Sequence, residues 1–256
     1  MTEPYYTIDF SASACMFEIR VNDYPVVTMN IEGQAATNIP INFAILESGL
    51  QTISSKLLPN LGETQLNSKA ELKFDIKLFD VSNDFVFDKQ FGEYQSEPID
   101  NKKPPIVSYT NTFQAIVPYK LDAWQKSKNL RDIEFCKMKL DAAYKKITKI
   151  IENGNFEEYK QLISKRENNM VTSMYLSKKE AEGRMIGLIK DFNSGFKVQP
   201  ISDDCVMMFY ANDRVAALKK TNGEPALFLF NEETQEELML DLSFHIPEGK
   251  TEFEVI

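Results

Sequence analysis

The chain has 256 residues, 43% of them hydrophobic and 26% charged, an ordinary globular balance that excludes wholesale disorder. Its net charge of −9 argues against sequence-independent binding of nucleic acid, because neutralising phosphates takes clustered Lys and Arg. No apolar run approaches the roughly 18 to 20 residues of a membrane span, and Glu3 stands where a signal peptide would carry basic charge.

The cysteines Cys15, Cys136 and Cys205 are odd in number, widely spaced and set in apolar company. They read as buried free thiols of a reducing compartment, which predicts a cytoplasmic protein. Charge is unevenly spread: residues 1–118 carry a net −7, residues 119–195 a net +5 and residues 196–256 a net −7. Such a distribution bears on solubility and on the steering of a basic partner, not on fold.

The first part of the chain reads as strands. Cys15, Phe17, Ile19 and Val21 alternate with Met16, Glu18, Arg20 and Asn22, the period-two pattern of a half-buried strand. Asn22-Asp23-Tyr24-Pro25 has turn chemistry, after which Val26 to Met29 is extended again. Ile39 to Leu46, Gln51 to Leu58 and Glu71 to Phe79 follow as extended runs, the last with Leu72, Phe74, Ile76 and Leu78 on one face and Glu71, Lys73, Asp75 and Lys77 on the other. Slipping that strand by one residue would bury four charges, so its orientation is firmly set. Phe85, Phe87 and Phe91 suggest one more strand or edge. Together these predict an antiparallel β-sandwich over residues 1–97. Pro98, Pro104, Pro105 and Pro118, with Asn101-Lys102-Lys103 among them, mark residues 98–118 as a linker.

Residues 119–256 read as an α+β module, helices over about 121–195 and strands over about 196–256, so the whole chain is α+β. Leu130, Ile133, Leu140, Tyr144, Ile147 and Ile151 fall at helical spacing up to the Asn153-Gly154 stop. Asn155 with Glu158, and Ser177 with Glu180, are capping boxes opening second and third helices, the third closed by Asn193-Ser194-Gly195. Strands then run over 205–210, 214–219, 226–230, 238–246 and 251–256, and the Asn222-Gly223 pair predicts a hairpin in a meandering antiparallel sheet.

The search for chemistry is largely negative. His245 is the only histidine and lies inside a predicted strand, where a structural role is the simpler reading; zinc sites with two His ligands are excluded. The cysteines form no C-x-x-C pair, and neither a G-x-G-x-x-G nor a G-x-x-x-x-G-K-[ST] loop occurs, so no cofactor, metal or catalytic residue is implied. Acid pairs remain: Asp203-Asp204 before a strand, Asp84 and Asp88 around Phe85 and Phe87, and Glu232-Glu233 with Glu236-Glu237 around a turn. Trp124, the one tryptophan, is either junction packing or an aromatic anchor. The lysines of the first helix, Lys137, Lys139, Lys145, Lys146 and Lys149, read as an exposed face.

The segment Phe17-Glu18-Ile19-Arg20-Val21-Asn22-Asp23-Tyr24-Pro25-Val26, followed by Ile45-Leu46-Glu47-Ser48-Gly49, resembles proteins of bacterial toxin–immunity loci over about the first 80 residues. That resemblance implies an acidic, cytosolic, non-enzymatic protein that caps the active site of a toxin, a protein partner of basic charge. Contact residues on this reading are Asp203, Asp204, Glu232, Glu233, Glu236, Glu237 and Trp124. The segment Ile151 to Tyr159 is similar to the opening helical region of the nuclear-transport-factor-2-like superfamily, whose cone-shaped fold holds small molecules or an active site. On that alternative, Asp203, Asp204, Tyr210 and His245 would line an apolar pocket. A carbohydrate-binding sandwich, with Asp84, Phe85, Phe87 and Asp88 as its contact group, is the third reading.

Overall fold

A computed structural model describes residues 2–99 and 104–256, so Asn101, Lys102 and Lys103 of the expected linker lie outside the described residues. The chain forms two compact units, one of residues 1–121 with Ser173–Tyr175, the other of residues 122–172 with 176–256.

The first unit is organised by one long strand, β1 (Pro4–Val21), which forms a hairpin with β2 (Tyr24–Pro40). Opposite β2, residues 4–13 of β1 pair with β4 (Glu71–Asp80), and residues 16–21 pair with β3 (Gly49–Leu58). The burial phase of β1 explains how one strand serves two partners. Tyr6, Ile8, Phe10 and Ala12 are buried in its first half and Cys15, Phe17, Ile19 and Val21 in its second, so the buried parity switches from even to odd. Strict alternation cannot do that without one extra residue. Ala14 is that residue, left-handed at φ 46° and set in a register shift between Ser13 and Cys15.

Beyond β4 lies β5 (Val86–Gln95), and beyond β3 lies β6 (Val107–Ala115), giving the order β5-β4-β1-β3-β6 with β2 on β1. The two ends of this curled sheet face each other. Tyr94 of β5 stacks on Tyr109 of β6 at 4.0 Å, Phe91 meets Phe113 at 6.1 Å, and Phe10 meets Phe17 across the β1 bend at 5.1 Å. Sandwich-like packing is thus made by one bent antiparallel sheet. It also takes in residues read from sequence as linker, since β6 pairs with β3 from Gly49 to Leu57 and the unit boundary falls after Leu121.

Asn42, wholly buried after β2, fixes this unit locally. Its Oδ1 accepts from the Tyr6 amide at 2.6 Å, and its Nδ2 donates to the carbonyls of Pro4 (2.9 Å) and Ser173 (3.0 Å). The run read as extended through Leu46 breaks here into a short 3-10 turn, Asn42–Ala44.

The second unit has three helices and two small sheets. The first helix, α1 (Cys136–Glu152), buries Leu140, Tyr144, Ile147, Ile150 and Ile151. It starts later than its apolar stripe suggests: Leu130–Asp132 is a separate 3-10 turn capped by Asn129, and Phe135 is left-handed. The second helix is α2 (Phe156–Ser173) and the third α3 (Lys178–Phe192); the latter opens on the expected capping box, Ser177 Oγ accepting from Glu180 N and Glu180 Oε2 from Ser177 N. The strands β7 (Lys197–Val198), β10 (Phe228–Asn231) and β11 (Glu236–Met239) form one sheet; β8 (Val206–Tyr210), β9 (Val215–Lys219), β12 (Phe244–His245) and β13 (Glu254–Val255) form the other. The expected single meander is therefore two sheets. The Asn222-Gly223 turn leads from one to the other through a lone bridge, Lys219 to Pro225, instead of closing a ladder. Among the described residues no helix is long and apolar enough to cross a membrane.

Candidate functional site

A cleft of about 530 Å³ in the first unit opens beside the β4–β5 hairpin. Its walls are Leu78 and Phe79 of β4, Phe87 and Phe91 of β5, and Ile116 after β6, with Tyr6 of β1 also lining it. Tyr6 is held there because its hydroxyl accepts from the Ile116 amide at 2.9 Å and donates to the Ile116 carbonyl at 3.3 Å. Burial raises the Tyr6 hydroxyl above the ordinary tyrosine value, the Ile116 amide lowers it, and the nearby Asp88 charge adds to the rise.

Irregular backbone builds this wall. Leu78 pairs with Lys89 and Phe79 with Phe87, so Asp88 has no partner of its own and Phe87 and Asp88 stand together against Phe79. Two adjacent positions are thereby brought toward one place, as bulges characteristically do. A second register shift falls at Gly92, whose φ of 51° suits glycine and turns β5 again just past Phe91. In the connecting turn, Asp84 and Phe85 are both left-handed, and an aromatic residue in that region is strained. Asp80 starts the turn: its Oδ1 accepts from the hydroxyl and amide of Ser82 and from the Glu3 amide, which holds its carboxyl below the usual carboxylate value.

The result is an apolar surface that a folded chain normally hides. Phe85, Val86 and Phe87 are 53%, 51% and 52% exposed, and Ile116 is 70% exposed. Asp80 and Asp88 stand within the lining, with Lys89 as its one basic member, its Nζ 4.8 Å from the Phe91 ring centre.

The residues singled out from sequence lie in several places. Phe87 and Asp88 line this cleft, whereas Asp84 and Phe85 lie in the turn before β5 and outside its lining, Phe85 edge-on to Tyr5 at 5.2 Å. Glu232, Glu233, Glu236 and Glu237 are exposed around the β10–β11 turn, where Asn231 Oδ1 accepts from the amides of Glu233 and Thr234; Glu232 meets Lys197 at 3.7 Å and Glu237 meets Lys220 at 4.0 Å. Asp203 lines a separate cavity of about 140 Å³ with Lys137, Asp141, Tyr144 and Cys205, whereas Asp204 is exposed outside it. Tyr210 and His245 do not line that cavity; both are buried. Trp124 is buried too, at 8% exposure, so its indole is not an open anchor. Tyr6, which the sequence leaves ambiguous between core and contact surface together with Tyr5 and Phe10, is buried in the core and also lines the cleft; Ile116 is found only through tertiary pairing.

His245 sits in the core of the second unit, its Nδ1 2.6 Å from Ser127 Oγ. Burial, with a smaller push from Lys165, lowers its pKa to about 4. A Ser-His pair can activate a hydroxyl only where substrate can reach it, and this pair is enclosed. Among the described residues no group of three or more His, Cys, Asp and Glu is placed to hold a metal ion. No family model, no curated protein and no solved structure matches the chain.

Proposed function

We propose that the chain is a non-catalytic binding protein that neutralises a basic protein toxin by direct contact, and that the β4–β5 cleft is its contact surface. One observation carries the reading: the Phe87 ring, about half exposed, and Ile116, 70% exposed, line a cleft that has carboxylates in its lining. Large rings left in water are characteristic of protein interfaces, where aromatic anchors supply most of the binding energy. The net charge of −9 supports a basic partner, since opposite charge raises the association rate. The cavity at Asp203 supports a small-molecule role less well, being below the roughly 300 Å³ at which ligand pockets begin.

The test is titration of purified chain into a basic toxin whose activity is assayed directly. Stoichiometric inhibition with both proteins chemically unchanged is the expected result. Turnover of a metabolite or sugar by the purified chain, abolished by replacing one acid or His245, would overturn the reading.

A further inference from the structure

The geometry points to an arginine side chain, projecting from the basic partner, as the group that the β4–β5 cleft receives. This rests on the binding reading above but goes further, because it names the chemistry of the anchor. Three features converge on it. Phe79 and Phe87 lie edge to face at 5.8 Å, and with Phe91 they offer ring surface to a flat group. Asp88, set beside Phe87 by the register shift, supplies a carboxylate at those rings, and Asp80 a second one in the same lining. A guanidinium is the side-chain cation that both stacks on aromatic faces and pairs with a carboxylate through two parallel hydrogen bonds.

The third feature is that the chain itself already places a cation on this surface. Lys89 Nζ stands over the Phe91 ring. The second unit has the same pairing in stronger form, with the Arg131 guanidinium 3.8 Å from the Phe209 ring centre. Lys89 therefore acts as a resident competitor: an incoming guanidinium must displace it or tolerate its charge. That gives two neighbouring residues effects of opposite sign. Removing the Asp88 charge weakens binding, and removing Lys89 strengthens it, a pattern that general damage to the hairpin would not produce.

The probe is the capped peptide Ac-Phe-Arg-Phe-amide, compared with its citrulline analogue, a neutral isostere of arginine, and with hexylamine as a small free cation. Binding is followed by the amide resonances of the full chain. The arginine peptide is expected to shift Tyr6, Phe87 and Ile116 saturably and to bind about tenfold more tightly than the citrulline peptide, the equivalent of one charge-assisted pair. Asp88→Asn should cut affinity by about fivefold to tenfold and Lys89→Ala raise it by about twofold to fivefold, while Asp191→Asn in the second unit leaves it unchanged. Equal binding of both peptides, an unchanged affinity in Asp88→Asn, or shifts confined to other surfaces would overturn the proposal. Hexylamine binding as tightly as the arginine peptide would also overturn it, by making the cleft a small-amine site. Should the arginine peptide bind while no basic toxin is inhibited, the anchor assignment stands and the toxin reading falls. Inhibition of a toxin that is indifferent to Asp88→Asn and Lys89→Ala gives the reverse.

Discussion

Ser127 Oγ and His245 Nδ1 are 2.6 Å apart in the interior of the second unit, while the other ring nitrogen of His245 has no hydrogen-bond partner among the described residues and the residue is 1% exposed. An imidazole in that position is more stable neutral, because burial disfavours the charged ring by more than the nearby Glu254 and Asp122 carboxylates favour it. The folded-state pKa of about 4 lies below the ordinary value of 6.5, so the unfolded chain takes up the proton first as pH falls. Stability is therefore complete above about pH 6.5 and declines from there down to about pH 4, by up to about 3 kcal/mol in all at 1.36 kcal/mol per unit. Urea unfolding across this range should show the slope, and His245→Gln should flatten it. Equal slopes in the two proteins would contradict the account.

Asn42 is the corresponding device in the first unit. Its side chain completes three hydrogen bonds in a site without solvent, to Tyr6, Pro4 and Ser173. Asn42→Ala strands the buried Tyr6 amide and takes one donor from the Pro4 and Ser173 carbonyls, Pro4 keeping the Tyr175 hydroxyl at 3.0 Å, which should cost about 1–3 kcal/mol in urea or thermal unfolding. A loss below about 0.5 kcal/mol would mean that the site takes up water without strain.

The three thiols should differ in reactivity. Burial raises all three thiols, Cys15 to about 11, but Cys15 and Cys205 are buried whereas Cys136 is only half-buried at the start of α1. A chromogenic disulfide reagent at pH 8 should release one equivalent quickly, removed by Cys136→Ser, and the other two only on unfolding. Fast release from Cys15 would contradict the placement of β1.

Much of the first unit is legible in its side-chain periodicity. The alternation from Cys15 to Val21 and from Leu72 to Ile76 matches the buried faces of β1 and β4. The first half of β1 escapes that reading because its alternation runs in the opposite phase, and only the Ala14 irregularity joins the two halves. Strand β6 is hidden by the prolines on either side of it, although Val107, Tyr109, Phe113 and Ala115 alternate across it. In the second unit the Ser177–Glu180 capping box marks its helix because the signal is local. The division of the late strands into two sheets is set by distant pairing, which leaves no local mark. The cleft shows the same limit. Phe87 and Asp88 stand out by residue type, but the register shift that sets both against Phe79, and the contact of Tyr6 with Ile116, exist only once strands are paired.

Survival of cells expressing a basic toxin with different versions of this chain tests the central claim most directly. Phe87→Ala combined with Asp88→Asn should abolish protection at unchanged expression and fold, whereas Glu232→Gln combined with Glu236→Gln should preserve it. Protection that survives loss of the cleft residues and disappears with the β10–β11 acids would contradict the account.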